Sequence, residues 1–398
     1  MKRTFLLCSL ILLLLTGCKD NKNVIKIGFI GPLTGDYANY GIMMSNAAKL
    51  AIEEKNSKGG IDGKKIVLIA EDSEGKVEKA NSAIEKLASV DKIFALIGGV
   101  FSGESLAIAP RAEAEKIVMC SPSATHKALT SKGNFIFRNV LSDELQAIIF
   151  AKYARNIMKL NKIAILYIKN DYSQGLAEDF QANFEKEGGK IVAMETGVAG
   201  DKDFKTQLTK IKDSKAEALY IPNYVAEMAQ ILEQKNQLGL DLKVLSADGF
   251  SNPEIFDLAK DNAVGVLFSN SAEDTSNNTL KIEFINKYKT KYKVEPDNFS
   301  LNAYDIANLF VNAIETVYNE SSKEDKEKLN LNRERIREVF HSTKDYAGVS
   351  GTINFLANGD ASKNVGIYIS EKGEDGKYSY KQIAVYKLND KNKLEEVK

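Results

Sequence analysis

Hydroxyl-bearing residues follow two neighbouring apolar runs in the segment 98–125. The first run ends just before Ser102, and the second ends before Ser123 and Thr125, with helical spacing over residues 102–115 between them. This pattern predicts a strand, a turn, a helix, a second strand and a second turn. Ligands of open α/β sheets bind beyond the carboxyl ends of the strands, where the free N–H groups of a helix N-terminus attract anions. We therefore expect the segment to hold a small carboxylate, although Ser102 taken alone would more simply be a helix N-cap.

Catalytic chemistry has little support in this sequence. It contains two histidines, His126 and His341, far apart, and the surroundings of Ser102 do not match the G-x-S-x-G turn of a serine nucleophile. The sequence also lacks the HExxH, CxxC, EF-hand and Walker A motifs, and no G-x-G-x-x-G follows the first strand. We therefore predict a binding protein that is not an enzyme, with no metal and no cofactor.

The composition is that of an ordinary globular protein with one large or two medium domains. The chain has 398 residues, of which 44% are hydrophobic and 27% are charged. The acidic and basic residues balance at 54 each, so the charge gives no reason to expect nucleic acid as a partner.

The N-terminus predicts export and attachment to a lipid. Two basic residues precede the apolar stretch 5–15, which is too short to span a bilayer. The following Leu-Thr-Gly-Cys resembles a bacterial lipobox, which implies cleavage before Cys18 and lipidation of that cysteine. We therefore assign residues 1–17 to a lipoprotein signal peptide and residues 18–23 to a tether. Ordinary secretion with an incidental cysteine is the alternative.

Strand-like and helix-like patterns alternate along the chain, as is typical of βαβ units. One series runs over residues 24–140 and a second over 144–268. Helical patterns then occupy 280–340, and strands return within 352–388. We predict an α/β fold with two doubly wound lobes built on parallel central sheets, the late helices returning to cover the first lobe. The charged stretch 321–328 is expected to be solvated.

Five motifs, in this order and spacing, carry a resemblance to a known family. They are Ile27–Gly35 with Tyr40-Gly41, Asn-Ser-Lys-Gly-Gly-Ile-Asp-Gly at 56–63, the serine turn 121–125, Asp171–Gly175 and Gly200–Phe204. Over residues 25–384 the chain resembles the leucine/isoleucine/valine-binding protein family, the type I periplasmic binding proteins of ABC importers.

The resemblance implies two lobes joined by three hinge crossovers, near residues 141, 272 and 348. Lobe one would comprise 24–141 and 273–347, and lobe two 142–272 and 348–398.

The resemblance also implies roles for individual residues. Ser102 would bind the ligand carboxylate through its hydroxyl and backbone N–H, and Thr125 would add a hydroxyl near the zwitterion. Ser123 stands where the family often has alanine, whose carbonyl usually contacts the ammonium. Asp248 matches the acidic residue that pairs with the ammonium, where some members have glutamate. The expected pocket walls are aromatic: Tyr40, Phe101, Tyr172, Tyr224 and Phe299.

These observations predict the substrate-binding protein of an ABC importer, lipid-anchored in the periplasm or on the outer face of the cytoplasmic membrane. Its lobes would close on a branched-chain or similarly apolar amino acid, since a dry site must satisfy both charges of a zwitterion and aromatic walls suit an apolar side chain. The expected partners are the amino acid, a permease and, through the anchor, the membrane. We expect no nucleic acid as a partner, and we expect the protein to be a monomer. Two alternatives keep the fold: a small amide, urea or another amino acid as the ligand, or a sensor that acts on a membrane partner.

Overall fold

The computed structural model describes residues 24–273 and 278–397. The predicted signal peptide, the tether and Cys18 lie outside the described residues. Within the described ranges, no helix combines the length and the apolar character that crossing a membrane requires.

The first βα series forms a five-stranded parallel sheet with the strand order β2-β1-β3-β4-β5. The short strands β3 and β4 are buried along their whole length, as expected for a parallel sheet covered on both faces. The elements are β1 (Val24–Gly31), α1 (Ala38–Ser57), β2 (Lys65–Asp72), α2 (Val77–Lys86), β3 (Ala95–Gly98), α3 (Ser102–Ala114), β4 (Val118–Ser121) and β5 (Ile136–Arg138).

The second series builds another sheet, in which the first five strands run parallel in the order β7-β6-β8-β9-β10. This order repeats that of the first sheet, so the fold contains two doubly wound lobes. The elements are α4 (Asp143–Lys152), β6 (Lys162–Ile168), α5 (Asp171–Lys186), β7 (Lys190–Gly197), α6 (Lys205–Asp213), β8 (Ala218–Tyr220), α7 (Val225–Gln237), β9 (Lys243–Ser246), α8 (Glu254–Ala259) and β10 (Leu267–Ser271).

The remaining helices return to the first lobe, as predicted. The long helix α10 packs against α1, and the buried Tyr288 of α9 donates its hydroxyl hydrogen to the Met43 carbonyl of α1. The charged stretch expected to be solvated contains a short helix, α11, capped by Ser322, whose hydroxyl accepts from the Asp325 N–H. The helices are α9 (Thr279–Tyr292), α10 (Asn298–Glu320), α11 (Lys323–Lys328) and α12 (Arg333–His341).

The C-terminal strands are antiparallel additions to the second sheet. Strands β13 (Val365–Lys372), β14 (Tyr378–Leu388) and β15 (Leu394–Glu396) extend the second sheet beyond β10 in antiparallel order. The turn 373–377 between β13 and β14 is so short that it can join only antiparallel neighbours.

A short hairpin lies at the predicted third crossover, near residue 348. Strands β11 (Tyr346–Gly348) and β12 (Gly351–Ile353) pair with each other. Asp360 then forms a bridge with Arg138 at the end of β5 and accepts a 2.6 Å hydrogen bond from its guanidinium. Residues 360 and 361 therefore contact the end of β5, and the position of the third crossover stays a prediction.

Candidate functional site

The shared strand order places four helix N-termini around one point between the lobes. In each sheet the order reverses next to the first strand, between β1 and β3 and between β6 and β8. Ligands of such sheets bind at this switch point. Helices α1 and α3 begin there in the first lobe, and α5 and α7 begin there in the second. The rings of Phe101 and Tyr224, which precede α3 and α7, are 4.3 Å apart between centroids, so the two switch points face each other.

The start of α3 offers hydrogen-bond donors to an anion. Ser102 is the first residue of the helix and is 1% exposed, and its hydroxyl oxygen has no hydrogen-bond partner among the described residues. The first N–H groups of a helix also lack partners within the helix. Gly98 brings the chain into this turn with φ of 130°, and a Cβ there would lie 2.5 Å from the Ile30 carbonyl oxygen. Glycine is therefore required where β3 passes β1.

The second turn is held by internal hydrogen bonds. The Ser121 hydroxyl donates to the Gly99 carbonyl at 2.6 Å and accepts from the Ala124 N–H at 2.9 Å. The Ser123 hydroxyl donates to the Val100 carbonyl at 2.7 Å, and this hydrogen bond joins the second turn to the turn before α3. The side chain of Ser123 therefore stabilises the two turns 98–102 and 121–125, which together form the cradle of the site.

Thr125 is fully buried in the second turn. Its carbonyl accepts hydrogen bonds of 2.8 Å from the Asp143 N–H and from the Arg138 guanidinium. Its hydroxyl lies near the Asp143 carboxyl without a well-formed hydrogen bond. Thr125 thus links the first lobe to the start of α4.

Two buried carboxylates face the cradle from the second lobe. Asp248 follows β9 and is 1% exposed; one of its oxygens accepts from the Gln146 amide at 2.8 Å and from the Tyr172 hydroxyl at 2.9 Å. The same Gln146 amide donates to Asp143, on the first turn of α4, at 3.3 Å. Neither aspartate forms an ion pair within the described part of the chain. The Arg138 guanidinium is the positive charge that favours ionised Asp143, and an additional cation or a proton would offset the charge of the second carboxylate.

Burial raises the pKa of both carboxyls. The pKa of Asp248 rises to about 6, although the hydrogen bonds from Gln146 and Tyr172 oppose the shift. Burial, and then the charge of Asp248, raise the pKa of Asp143 well above its usual range. An ammonium group placed between them would favour the charged forms.

Glu104, on the first turn of α3, is a third buried carboxyl. It accepts a hydrogen bond from the Phe101 N–H at 3.2 Å, and burial raises its pKa to about 7. Burial therefore reduces the negative charge that Glu104 places beside the helix N-terminus.

Aromatic rings close the site. Tyr172 stacks on Tyr224 with centroids 4.9 Å apart, and Tyr40 meets Phe101 edge to face at 5.6 Å. The cavity that these rings enclose has a volume of about 10 Å³, roughly the space of one water molecule. Entry of an amino acid therefore requires the lobes to separate or the rings to rotate.

Hydrogen bonds across the site hold the lobes together. The Tyr40 hydroxyl donates to the Gly249 carbonyl at 2.6 Å and accepts from the Val225 N–H at 3.3 Å. The Tyr37 hydroxyl donates to the buried carboxylate of Glu227. On the rim, the Lys127 ammonium lies 2.7 Å from an Asp179 oxygen and pairs α5 with the first lobe. The described arrangement is thus a closed one.

The structure brings together eight of the nine expected ligand residues. They line the cavity with Val100 and Gly249, and they are Tyr40, Phe101, Ser102, Ser123, Tyr172, Tyr224, Asp248 and Phe299. The ninth, Thr125, lies behind the cavity and contacts Asp143. Their roles toward a ligand stay predictions.

Sequence reasoning missed Asp143 and Gln146. They stand three residues apart, and therefore on one face, at the start of α4. That spacing is the one signal that could have marked them as a pair. His126 caps its own loop, because its Nδ1 accepts from the Ala128 N–H at 3.2 Å. Within residues 24–273 and 278–397, no cluster of three or more His, Cys, Asp or Glu side chains could hold a metal ion.

A closed cavity between two doubly wound lobes, with anion donors on one side and buried carboxylates on the other, defines a two-lobed solute-binding protein. A family model described as periplasmic binding protein matches residues 24–377. The chain belongs to this family, in its leucine/isoleucine/valine-binding branch, whose members bind solutes and are not enzymes.

Relatives and solved structures agree with this assignment. The chain is 32% identical over 355 residues to Leu/Ile/Val-binding protein homolog 3 of Brucella melitensis, covering 89% of this chain and 92% of the relative. It is 31% identical to the leucine-, isoleucine-, valine-, threonine- and alanine-binding protein of Pseudomonas aeruginosa, covering 74% and 78%. The isoleucine complex of LivJ from Streptococcus pneumoniae superimposes with a TM-score of 0.80 at 30% identity, over 90% of this chain and 99% of LivJ.

Proposed function

We propose that this chain is the lipid-anchored, extracytoplasmic substrate-binding protein of an ABC importer and that it binds a branched-chain or similarly apolar amino acid. One observation carries the proposal. The same aromatic-walled cavity is lined by Ser102, at the N-terminus of α3, on one side and by Asp248 on the other. Relatives named for leucine, isoleucine and valine binding support the ligand class.

The buried carboxylate pair favours an ammonium-bearing ligand over an amide or urea. A neutral amide offers no positive charge to either carboxyl, whereas an ammonium group would pair with the charged forms that burial disfavours. An α-amino acid supplies the ammonium at this end and the carboxylate at the α3 end. Its side chain would then lie among Tyr40, Phe101 and Phe299.

Lobe closure is the proposed signal for the permease. The Tyr40 bonds to Gly249 and Val225 join the first lobe to the second and shield the cavity from water. A ligand that contacts both lobes favours this closed form over an open one. We place lobe one at residues 24–141 and 273–361 and lobe two at 142–272 and 362–398.

Isothermal titration calorimetry with a panel of leucine, isoleucine, valine, alanine, phenylalanine, acetamide and urea tests the proposal. We expect at least one apolar amino acid to bind and the two amides not to bind. Asp248→Asn keeps the shape of the side chain but removes the charge, so it should weaken that binding by about 2–5 kcal/mol, or about 30-fold or more. The matched control is Asp213→Asn, on the exposed face of α6, which should leave the affinity unchanged. Binding of urea in place of amino acids would overturn the ligand class.

The lipid anchor has its own test. Cys18→Ala removes the thiol that would carry the lipid, so the variant should appear in the soluble fraction of cells while the parent chain sediments with membranes. Equal sedimentation of both proteins would contradict the anchor and leave the ligand proposal untouched.

A further inference from the structure

The motif at 200–204 forms a turn between β7 and α6 that does not line the aromatic cavity. Two side chains of α7 hold this turn in place. The Gly200 N–H donates to Glu227 at 3.0 Å, and the Phe204 N–H donates to Gln234 at 2.7 Å. Glu227 and Gln234 are seven residues apart and therefore lie on one face of α7. The turn is thus fixed to the second lobe.

Glu227 is a buried carboxylate at the contact between the lobes. It is 2% exposed. One of its oxygens accepts both from the Gly200 N–H and from the hydroxyl of Tyr37, which lies directly before α1 in the first lobe. Its other oxygen is buried without a hydrogen-bond partner among the described residues. A buried carboxylate is costly unless donors satisfy it, so the Tyr37 hydroxyl contributes to the stability of the closed arrangement.

The ring of Tyr37 contacts two walls of the aromatic cavity. It meets Phe101 edge to face with centroids 5.5 Å apart and Tyr224 at 5.8 Å, and both of these rings line the cavity. Burial, and then the charge of Glu227, raise the pKa of the Tyr37 phenol, so its hydroxyl stays a hydrogen-bond donor. Tyr37 therefore connects the wall of the ligand cavity to the turn 200–204 of the opposite lobe.

We propose that Tyr37 is a positioning residue that holds the lobes closed over a bound amino acid by donating to Glu227, whose carboxylate the Gly200 N–H keeps in place. The inference rests on the proposed binding by lobe closure. The bond from Tyr37 to Glu227 joins different lobes and breaks when they separate, whereas the bond from Gly200 lies within the second lobe and persists. The Tyr37 hydroxyl therefore slows release of the ligand and leaves its first contact with an open lobe unchanged.

The release rate of a radiolabelled amino acid tests this role. The ligand is the best-binding amino acid of the calorimetric panel, and its release is followed after dilution into an excess of the unlabelled compound. Tyr37→Phe keeps the ring and removes the hydroxyl, so release should become about tenfold faster or more, because hydrogen bonds to charged groups are among the stronger ones in proteins. The association rate should stay within about twofold of the parent chain. Release at the parent rate, or association slowed as much as release is accelerated, would overturn the proposal.

Tyr304→Phe is the matched control. Tyr304 is half-buried, as Tyr37 is, and its hydroxyl donates to the Glu54 carboxylate at 2.6 Å within the first lobe. This variant also loses a phenol–carboxylate bond, but that bond does not cross between the lobes. Its release rate should therefore equal that of the parent chain, and a release rate as fast as that of Tyr37→Phe would contradict the role of the contact between the lobes.

A double-mutant cycle tests whether Glu227 is the acceptor that matters. Glu227→Gln keeps an acceptor oxygen and removes its charge, so release should become about threefold faster. In the Glu227→Gln background, Tyr37→Phe should accelerate release less than it does in the parent chain, because the two residues share one bond. Fully additive effects of the two substitutions would refute the pairing.

Small-angle X-ray scattering separates this proposal from the proposed function, because it detects closure without a ligand. If no amino acid of the panel binds, the proposed function fails, and scattering from the ligand-free chains decides the role of Tyr37. Tyr37→Phe should then have a larger radius of gyration than the parent chain and Tyr304→Phe, since it loses a bond that only the closed form makes. Equal radii of gyration would refute the role of Tyr37.

Discussion

Replacing Tyr40 with phenylalanine tests whether ligand binding depends on the contact between the two lobes. The phenol is 2% exposed, and its oxygen makes two hydrogen bonds to the opposite lobe, at 2.6 Å to the Gly249 carbonyl and 3.3 Å to the Val225 N–H. Both bonds exist only while the lobes touch. Tyr40→Phe keeps the ring in the cavity wall and removes both bonds, so its cost should fall on the closed form alone.

The expected cost follows from those two bonds. Each intramolecular hydrogen bond stabilises the closed form by about 1 kcal/mol net. The variant also leaves the Gly249 carbonyl and the Val225 N–H buried without this partner, so we expect the closed form to lose about 2 kcal/mol in total. A closed form destabilised by that amount weakens ligand affinity about 30-fold, because the ligand must offset the cost of closure. Calorimetry with the best-binding amino acid of the panel measures this difference.

Tyr288→Phe is the matched control. The Tyr288 hydroxyl is equally buried, but it donates to the Met43 carbonyl within the first lobe at 3.0 Å. This variant should lose about 1 kcal/mol of unfolding free energy in urea and keep its affinity within about twofold. The reasoning is refuted if Tyr40→Phe changes the affinity by less than about threefold, or if it lowers the stability of the ligand-free protein as much as Tyr288→Phe does.

Three further predictions concern the acid end of the site and its support. Because burial raises the pKa of Asp248 to about 6, its contribution to the stability of the ligand-free protein is complete below about pH 4 and is lost as the pH rises through 6. Affinity for an ammonium ligand should instead rise from pH 5 to 7, and a profile that is equally steep in Asp248→Asn would contradict this assignment. Gly249→Ala places a Cβ 2.8 Å from the Tyr172 hydroxyl, so it should cost about 1–3 kcal/mol in urea unfolding, whereas unchanged stability would show that the loop yields freely. Arg138→Met leaves the Asp360 carboxylate without its partner and should cost about 3–5 kcal/mol; a loss below about 1 kcal/mol would mean that solvent replaces the guanidinium.

Local patterns in the sequence predicted the elements that build the site. The apolar runs before Ser102 and Ser121 are strands in the structure, and α3 begins at Ser102 as expected. Both features depend on residues that are close together in the chain. A strand that is buried on both faces of a sheet is a continuous apolar run, and a helix starts directly after an extended residue. The same reasoning predicted that the late helices cover the first lobe.

Patterns of this kind did not reveal the partners of Asp248. Gln146 is 102 residues away in the chain, and Asp143 looks like an ordinary acidic residue on the first turn of a helix. The sequence also made no prediction of the direction of β13 to β15, because an apolar run is equally compatible with parallel and antiparallel neighbours.

The sequence by itself determined which residues end the strands, which start the helices and which motifs resemble a family of solute-binding proteins. The tertiary structure alone decided that Asp143 and Asp248 share one amide, that the Ser123 hydroxyl serves its own turn, and that Tyr40 joins the two lobes. The physical reason is that strand ends and caps are set by neighbours in the chain. The charge balance of a buried site is set instead by groups that only folding brings within hydrogen-bond distance.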